Sequence, residues 1–95
     1  MLKKDIKAAI VGSDLYSKSE KLVLIELLTI AVDFVAVSSA KSLREKTGLS
    51  TTTTYAALKS LKNRKIIIPN VYEPNSYSFN KEELSRLLEI HKNKL

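Results

Sequence analysis

A single, mainly α-helical domain carrying one small β-hairpin is predicted from three observations. Apolar residues recur at helical spacing over most of the 95 residues. Two short helical stretches are joined through Gly48-Leu49-Ser50, a glycine stop followed at once by a capping serine. The alternating run Ser76 to Asn80 follows an Ile-Ile-Ile segment and a proline-containing turn, which is hairpin chemistry. A hydrophobic content of 44% suits one modest core. We divide the chain into a helical extension (1–16), a core unit (17–80) and a last helix (81–95) within that one domain.

In chain order, Leu2, Ile6, Ala9 and Ile10 form a helical stripe from Met1 to Val11, with Lys3, Lys4 and Lys7 toward water and Gly12 as the stop. This helix is suited to padding the core or joining a partner. Ser17 with Glu20 makes a capping-box signature. The run from Leu22 to Phe34 leaves little polar surface, so its helix is either a central scaffold covered on several sides or a self-association surface. Val35-Ala36-Val37 is β-prone and expected to pair with the later hairpin, and Ser38 or Ser39 is expected to cap the next helix.

The centre of the chain is Ala40 to Ile68. Leu43 anchors a helix among Lys41, Arg44, Glu45 and Lys46, and Gly48 ends it. Ser50 then caps a second helix from Thr51 to Arg64. At about 100° per residue, Thr54, Ala57, Leu58, Leu61 and Lys65 share one side of it, and Thr52, Ala56, Lys59 and Asn63 the opposite one. Leu58 and Leu61 therefore face the core. The outward side is small and hydroxylated at its start and basic further along. A threonine run could merely cap a solvated helix, but four β-branched residues in a first turn lower helix propensity and call for another reason.

Beyond that helix, Ile66 to Ile68 favour a strand that Pro69 confines to an edge or ends early, with Val71 and Tyr72 continuing it. Glu73-Pro74-Asn75-Ser76 is a turn, and Tyr77 and Phe79 alternate with serines in the returning strand. Tyr72, Tyr77 and Phe79 suit core or cross-strand packing more than a stacking platform for bases. Asn80 with Glu83 opens a last helix in which Leu84, Leu87, Leu88, His91 and Leu95 follow the helical period, to pack on the domain or on a second copy.

Leu49-Ser50-Thr51-Thr52-Thr53-Thr54, then Leu58, Leu61 and Arg64-Lys65-Ile66-Ile67, resembles the recognition helix and first wing strand of winged helix-turn-helix DNA-binding domains, including MarR-like regulators and the winged domains of plasmid and phage replication initiators. The likeness covers roughly residues 17–80. It implies a winged helix-turn-helix fold with extra N- and C-terminal helices. In this sequence Lys65 stands where the family usually has Gly, so another residue, Asn63, is expected to end the helix. Thr54 replaces the usual aliphatic.

Charge points the same way. The net charge is +6, and residues 41–65 hold seven bases against Glu45 while the flanking stretches cancel. Such placement is a polyanion footprint. The hairpin has no base and carries Glu73, so it is expected to pack rather than clamp a phosphate backbone. With no cysteine there is no disulfide or thiolate metal site. His91 is the only histidine, and Gly12 and Gly48 are the only glycines, so no phosphate-binding loop or catalytic constellation can be assembled. No enzyme activity, cofactor or metal is expected. Met1 to Lys7 is charged and Glu26 and Asp33 interrupt the longest apolar run, so a cytoplasmic protein without leader or membrane span is expected.

The expected activity is double-stranded DNA binding in transcription control. The helix Thr51 to Arg64 would read the major groove with Ser50, Thr51, Thr52, Thr53, Tyr55 and Lys59 near bases or flanking phosphates, and Lys41, Arg44, Lys62 and Arg64 on the backbone. A homodimer through the terminal helices would present two reading helices. The alternatives are an accessory or initiator protein of a plasmid, phage or mobile element, and a winged fold used for protein interaction.

Overall fold

The computed structural model describes residues 1–94. Five helices and three strands follow one another as α1 (Lys3–Val11), α2 (Lys18–Ile30), β1 (Val35–Val37), α3 (Ala40–Thr47), α4 (Thr51–Asn63), β2 (Ile67–Pro69), β3 (Ser76–Phe79) and α5 (Lys81–Lys94). The strands form one antiparallel sheet in the order β1-β3-β2. The expected pairing of β1 with the hairpin is present, Ala36 opposite Tyr77 and Val37 opposite Ser76.

Local chemistry explains most element ends. Ser17 accepts a hydrogen bond from the Glu20 N–H and Glu20 accepts one from the Ser17 N–H, closing the capping box on α2. Ser39 caps α3 by accepting from the Ser42 N–H, and Ser50 caps α4 by accepting from Thr53. Gly48 ends α3 at φ +75°, the left-handed conformation for which glycine is suited.

The other glycine stops its helix differently. Gly12 has φ −82°, so positive φ does not select it. A Cβ there would stand 3.0 Å from the His91 ring, and the missing side chain lets α5 approach the end of α1.

Helix α2 is the central scaffold: α1, α3, α4 and β1 all pack on it. It and α1 cap each other. Lys3 donates to the Ala31 carbonyl at 2.6 Å beyond the end of α2, and Lys21 to the Val11 carbonyl at 2.9 Å at the end of α1. Helix α5 lies on α1, where Ile6, Ala9, Ile10, Leu84 and Leu87 join Val23, Leu24, Leu27 and Leu61 in one core. The terminal helices thus bury their apolar stripes within the chain. Leu2 is the exception: it is the N-cap of α1 and 61% exposed, not part of the stripe. Leu95, counted on the stripe of α5, lies outside the described residues.

Three further expectations are corrected. Helix α2 stops at Ile30 instead of following the apolar run. Asp33 and Phe34 both adopt positive φ, 51° and 63°, while Val32 and Val35 exchange hydrogen bonds. These are the signs of a type I′ turn, which aims the chain into β1. Val71 and Tyr72 do not continue β2. Pro69 has no N–H, and Asn70 accepts the Tyr72 N–H through its side chain, so the chain turns away and leaves Val71 85% and Tyr72 94% exposed. Finally, Asn80 starts α5 by accepting from the Glu82 N–H. Its own N–H goes to the Ile66 carbonyl, which removes the donor that a reciprocal Glu83 contact would need.

The sheet edges are protected, β2 by Pro69 and β1 at Val35 by the returning Val32. No helix among the described residues is long and apolar enough to cross a membrane.

Candidate nucleic-acid interface

Helix α4 carries the candidate surface, and its two sides separate as the periodicity predicts. Thr54, Ala57, Leu58 and Leu61 are buried. Thr51, Thr52, Tyr55, Ala56, Lys59, Lys62 and Asn63 are exposed. Thr54 is fully buried without leaving an unpaired hydroxyl, because its Oγ1 donates to the Ser50 carbonyl at 2.8 Å. Lys65, placed on the core side by the wheel, is exposed and lies past the helix. Asn63 is the last helical residue as expected, and Lys65 itself takes the left-handed conformation at φ 62° where a glycine would fit more easily.

The threonine run divides into distinct roles. Thr53 is half-buried, with its Oγ1 accepting from the Ser50 hydroxyl at 2.9 Å. Thr51 accepts from Arg44 Nη1 at 2.6 Å, so the base on α3 reaches over the turn to the start of α4. Thr52 is exposed and has no side-chain hydrogen bond among the described residues. The turn is stiffened by Thr47, whose hydroxyl donates to the Leu43 carbonyl and accepts from the Leu49 N–H. Leu43 is fully buried and holds α3 against the core.

Of the ten candidate residues, Lys41, Ser50, Thr51, Thr52, Tyr55, Lys59 and Lys62 are exposed on this helix pair, with Arg44 and Thr53 partly so. Among the described residues, Lys41, Lys59 and Lys62 have no acidic partner within salt-bridge distance. Tyr55 lies toward the hairpin: the Tyr77 phenol is raised first by burial and then by the neighbouring Tyr55.

Arg64, expected on the phosphate backbone, makes three contacts within the chain while its side chain stays 44% exposed. Its Nη1 donates to the Leu15 carbonyl, its Nε lies 3.6 Å from Glu20 Oε2, and its guanidinium stands 5.0 Å from the centroid of the Tyr16 ring. The same Glu20 oxygen accepts from the Ser60 hydroxyl at 2.6 Å. Burial raises the Glu20 pKa, but the bonds from Ser60 and Ser17 and the Arg64 charge outweigh it and leave the carboxyl below its ordinary range. Beside this group a groove of about 360 Å³ runs between the start of α2 and α4, walled by Ser17, Ser19, Thr52, Ala56 and Ser60.

The Glu20–Ser60–Arg64 link was not legible in sequence. Glu20 was already accounted for by its capping role, and only its second oxygen, unassigned by that role, hinted at another partner. No protein-family model, curated protein or solved structure matches the chain.

Proposed function

We propose that this protein is a winged helix-turn-helix domain that binds double-stranded DNA in transcription control, with α4 entering the major groove. One observation carries the reading: the unburied side of α4, hydroxylated at Thr51 and Thr52 and basic at Lys59 and Lys62, faces solvent, while α5 packs on α1. Small and hydroxylated residues let a helix approach base edges closely, and the lysines neutralise flanking phosphates. Thr51, Thr52, Thr53, Tyr55 and Lys59 stand nearest bases, with Ser50 at the helix start. Lys41, Arg44 and Lys62 serve the backbone.

With roughly four to six phosphate contacts, log K falls with log salt at a slope of about −4 to −5 per bound domain. Fluorescence anisotropy with a random-sequence duplex measures this directly. An affinity that salt leaves untouched, or no binding at low salt, rejects the reading. Selection of bound fragments from random duplexes then identifies a preferred site. Two reading helices about one DNA turn apart need a homodimer. Leu2 and Val11 remain exposed on α1 for that contact, and a monomer mass by light scattering at high concentration removes it.

A protein-interaction role is the second reading, favoured by one feature. The hairpin tip presents Val71 and Tyr72 almost fully to solvent with no base beside them.

A further inference from the structure

Arg64 is one of seven bases on residues 41–65, and a count of charges assigns it to the phosphate footprint. Its surroundings assign it elsewhere. The Glu20 side chain is 9% exposed and lies 3.6 Å from the Arg64 Nε, while Arg64 Nη1 donates to the Leu15 carbonyl and the guanidinium stands over the Tyr16 ring. The Arg64 side chain itself stays 44% exposed, so these contacts compete with solvent and phosphate for it. Glu20 also holds Ser60, one turn earlier on α4, at 2.6 Å. Its other oxygen stays on the Ser17 N–H at the start of α2, at 2.8 Å.

From this geometry we infer that Glu20 is a positioning residue that withholds Arg64 from the DNA backbone and holds α4 in register against α2, so that it sets the discrimination between preferred and random DNA. The inference rests on the DNA-binding reading above. Two attachments one helical turn apart, both from a single carboxylate on another helix, restrain α4 against sliding and rotation. Contact with base edges depends on that register. Attraction to random duplex depends instead on how many cations reach phosphates. A carboxylate that neutralises one cation and fixes the helix lowers the second without lowering the first.

The test compares the wild-type 95-residue chain with Glu20→Gln, Arg64→Gln, Ser60→Ala and the Glu20→Gln/Arg64→Gln double variant. Each is titrated by anisotropy against a random-sequence duplex and against a duplex selected by the wild type, over a series of salt concentrations, with thermal unfolding measured in parallel. Arg64→Gln should leave the random-duplex salt slope unchanged, because the cation it removes is not on phosphate. Glu20→Gln keeps an amide acceptor for Ser17 or Ser60 but frees the guanidinium. It should steepen that slope by about one unit and reduce the preference for the selected duplex by roughly tenfold. The double variant should return the slope to that of the wild type. Ser60→Ala should reduce the preference without altering the slope.

A purely structural Glu20 would shift only the unfolding temperature. The inference is overturned if Arg64→Gln makes the slope shallower by about one unit while Glu20→Gln does not change it, since Arg64 would then be an ordinary phosphate contact. If Glu20→Gln does not fold, the Arg64→Gln slope and the Ser60→Ala preference decide the matter. A wild type that binds neither duplex rejects the DNA reading itself, an outcome distinct from a binding wild type with the wrong variant pattern.

Discussion

The helix pair α3–α4 and the β2–β3 hairpin share one core but meet solvent in opposite ways. Lys41, Lys46, Lys59 and Lys62 are exposed on the helices. Between Ile67 and Phe79 the only charge is Glu73, and the tip exposes Val71 and Tyr72. An arrangement that clamps a nucleic-acid backbone from two sides would need cations on both. Under the proposed DNA reading the attraction is one-sided, and the hairpin's inner face, with Ile67 and Phe79 buried and Tyr77 packed against the core, works as a buttress. Under that proposal, contact with DNA and support of the reading helix fall to neighbouring elements.

Reversing charge on the reading side should break this contrast most strongly. Lys59→Glu with Lys62→Glu should weaken duplex binding on the order of a thousandfold at low salt. Both sites are exposed, so stability should stay within about 0.5 kcal/mol of wild type by urea titration. On the opposite side of the same helix the effect inverts. Leu61 is fully buried, and Leu61→Ala should cost about 3 kcal/mol in the same titration.

Gly48→Ala should cost about 1–2 kcal/mol. At φ +75° with no atom near its Cβ position, the penalty is purely that of the backbone. A loss larger than that would mean that the α3–α4 turn also repacks. Glu73→Lys sharpens the comparison from the hairpin side. If the tip lies near the duplex, a single new cation should tighten binding several-fold and steepen the salt slope by about one unit. An unchanged slope would place the tip clear of the backbone. The smallest effect is expected of Tyr72→Ser, which should leave both unfolding and duplex affinity within error, since the ring is 94% exposed. Loss of DNA binding in that variant would overturn the assignment of the hairpin to support.

Much of this architecture is legible in the amino-acid order. Ser17 with Glu20, Ser39, Gly48 and Ser50 mark element ends through hydrogen bonds that reach only three or four residues. The burial of Leu58 and Leu61 follows from a helical period. The turn at Asp33-Phe34 escapes the same reasoning because Phe disfavours positive φ and the apolar residues on both sides conceal the break, although Asp33 tolerates that conformation. The exposed Val71-Tyr72 segment departs from the strand its residues predict for a related reason. Its residues suit a strand, and the side chain of Asn70 redirects them.

By itself, then, the amino-acid order determined where most helices begin, where α1, α3 and α4 stop, which stripe of each helix is apolar, and that the excess positive charge is concentrated on residues 41–65. Tertiary structure decided that α1 and α5 cover each other, that His91 occupies the space above Gly12, and that Arg64 turns to Glu20 and Leu15. Caps and stripes involve atoms within about one turn, whose encounter the local chain guarantees. Ser60 and Glu20 are separated by 40 positions, and such a pair exists only after the core has brought two helices together.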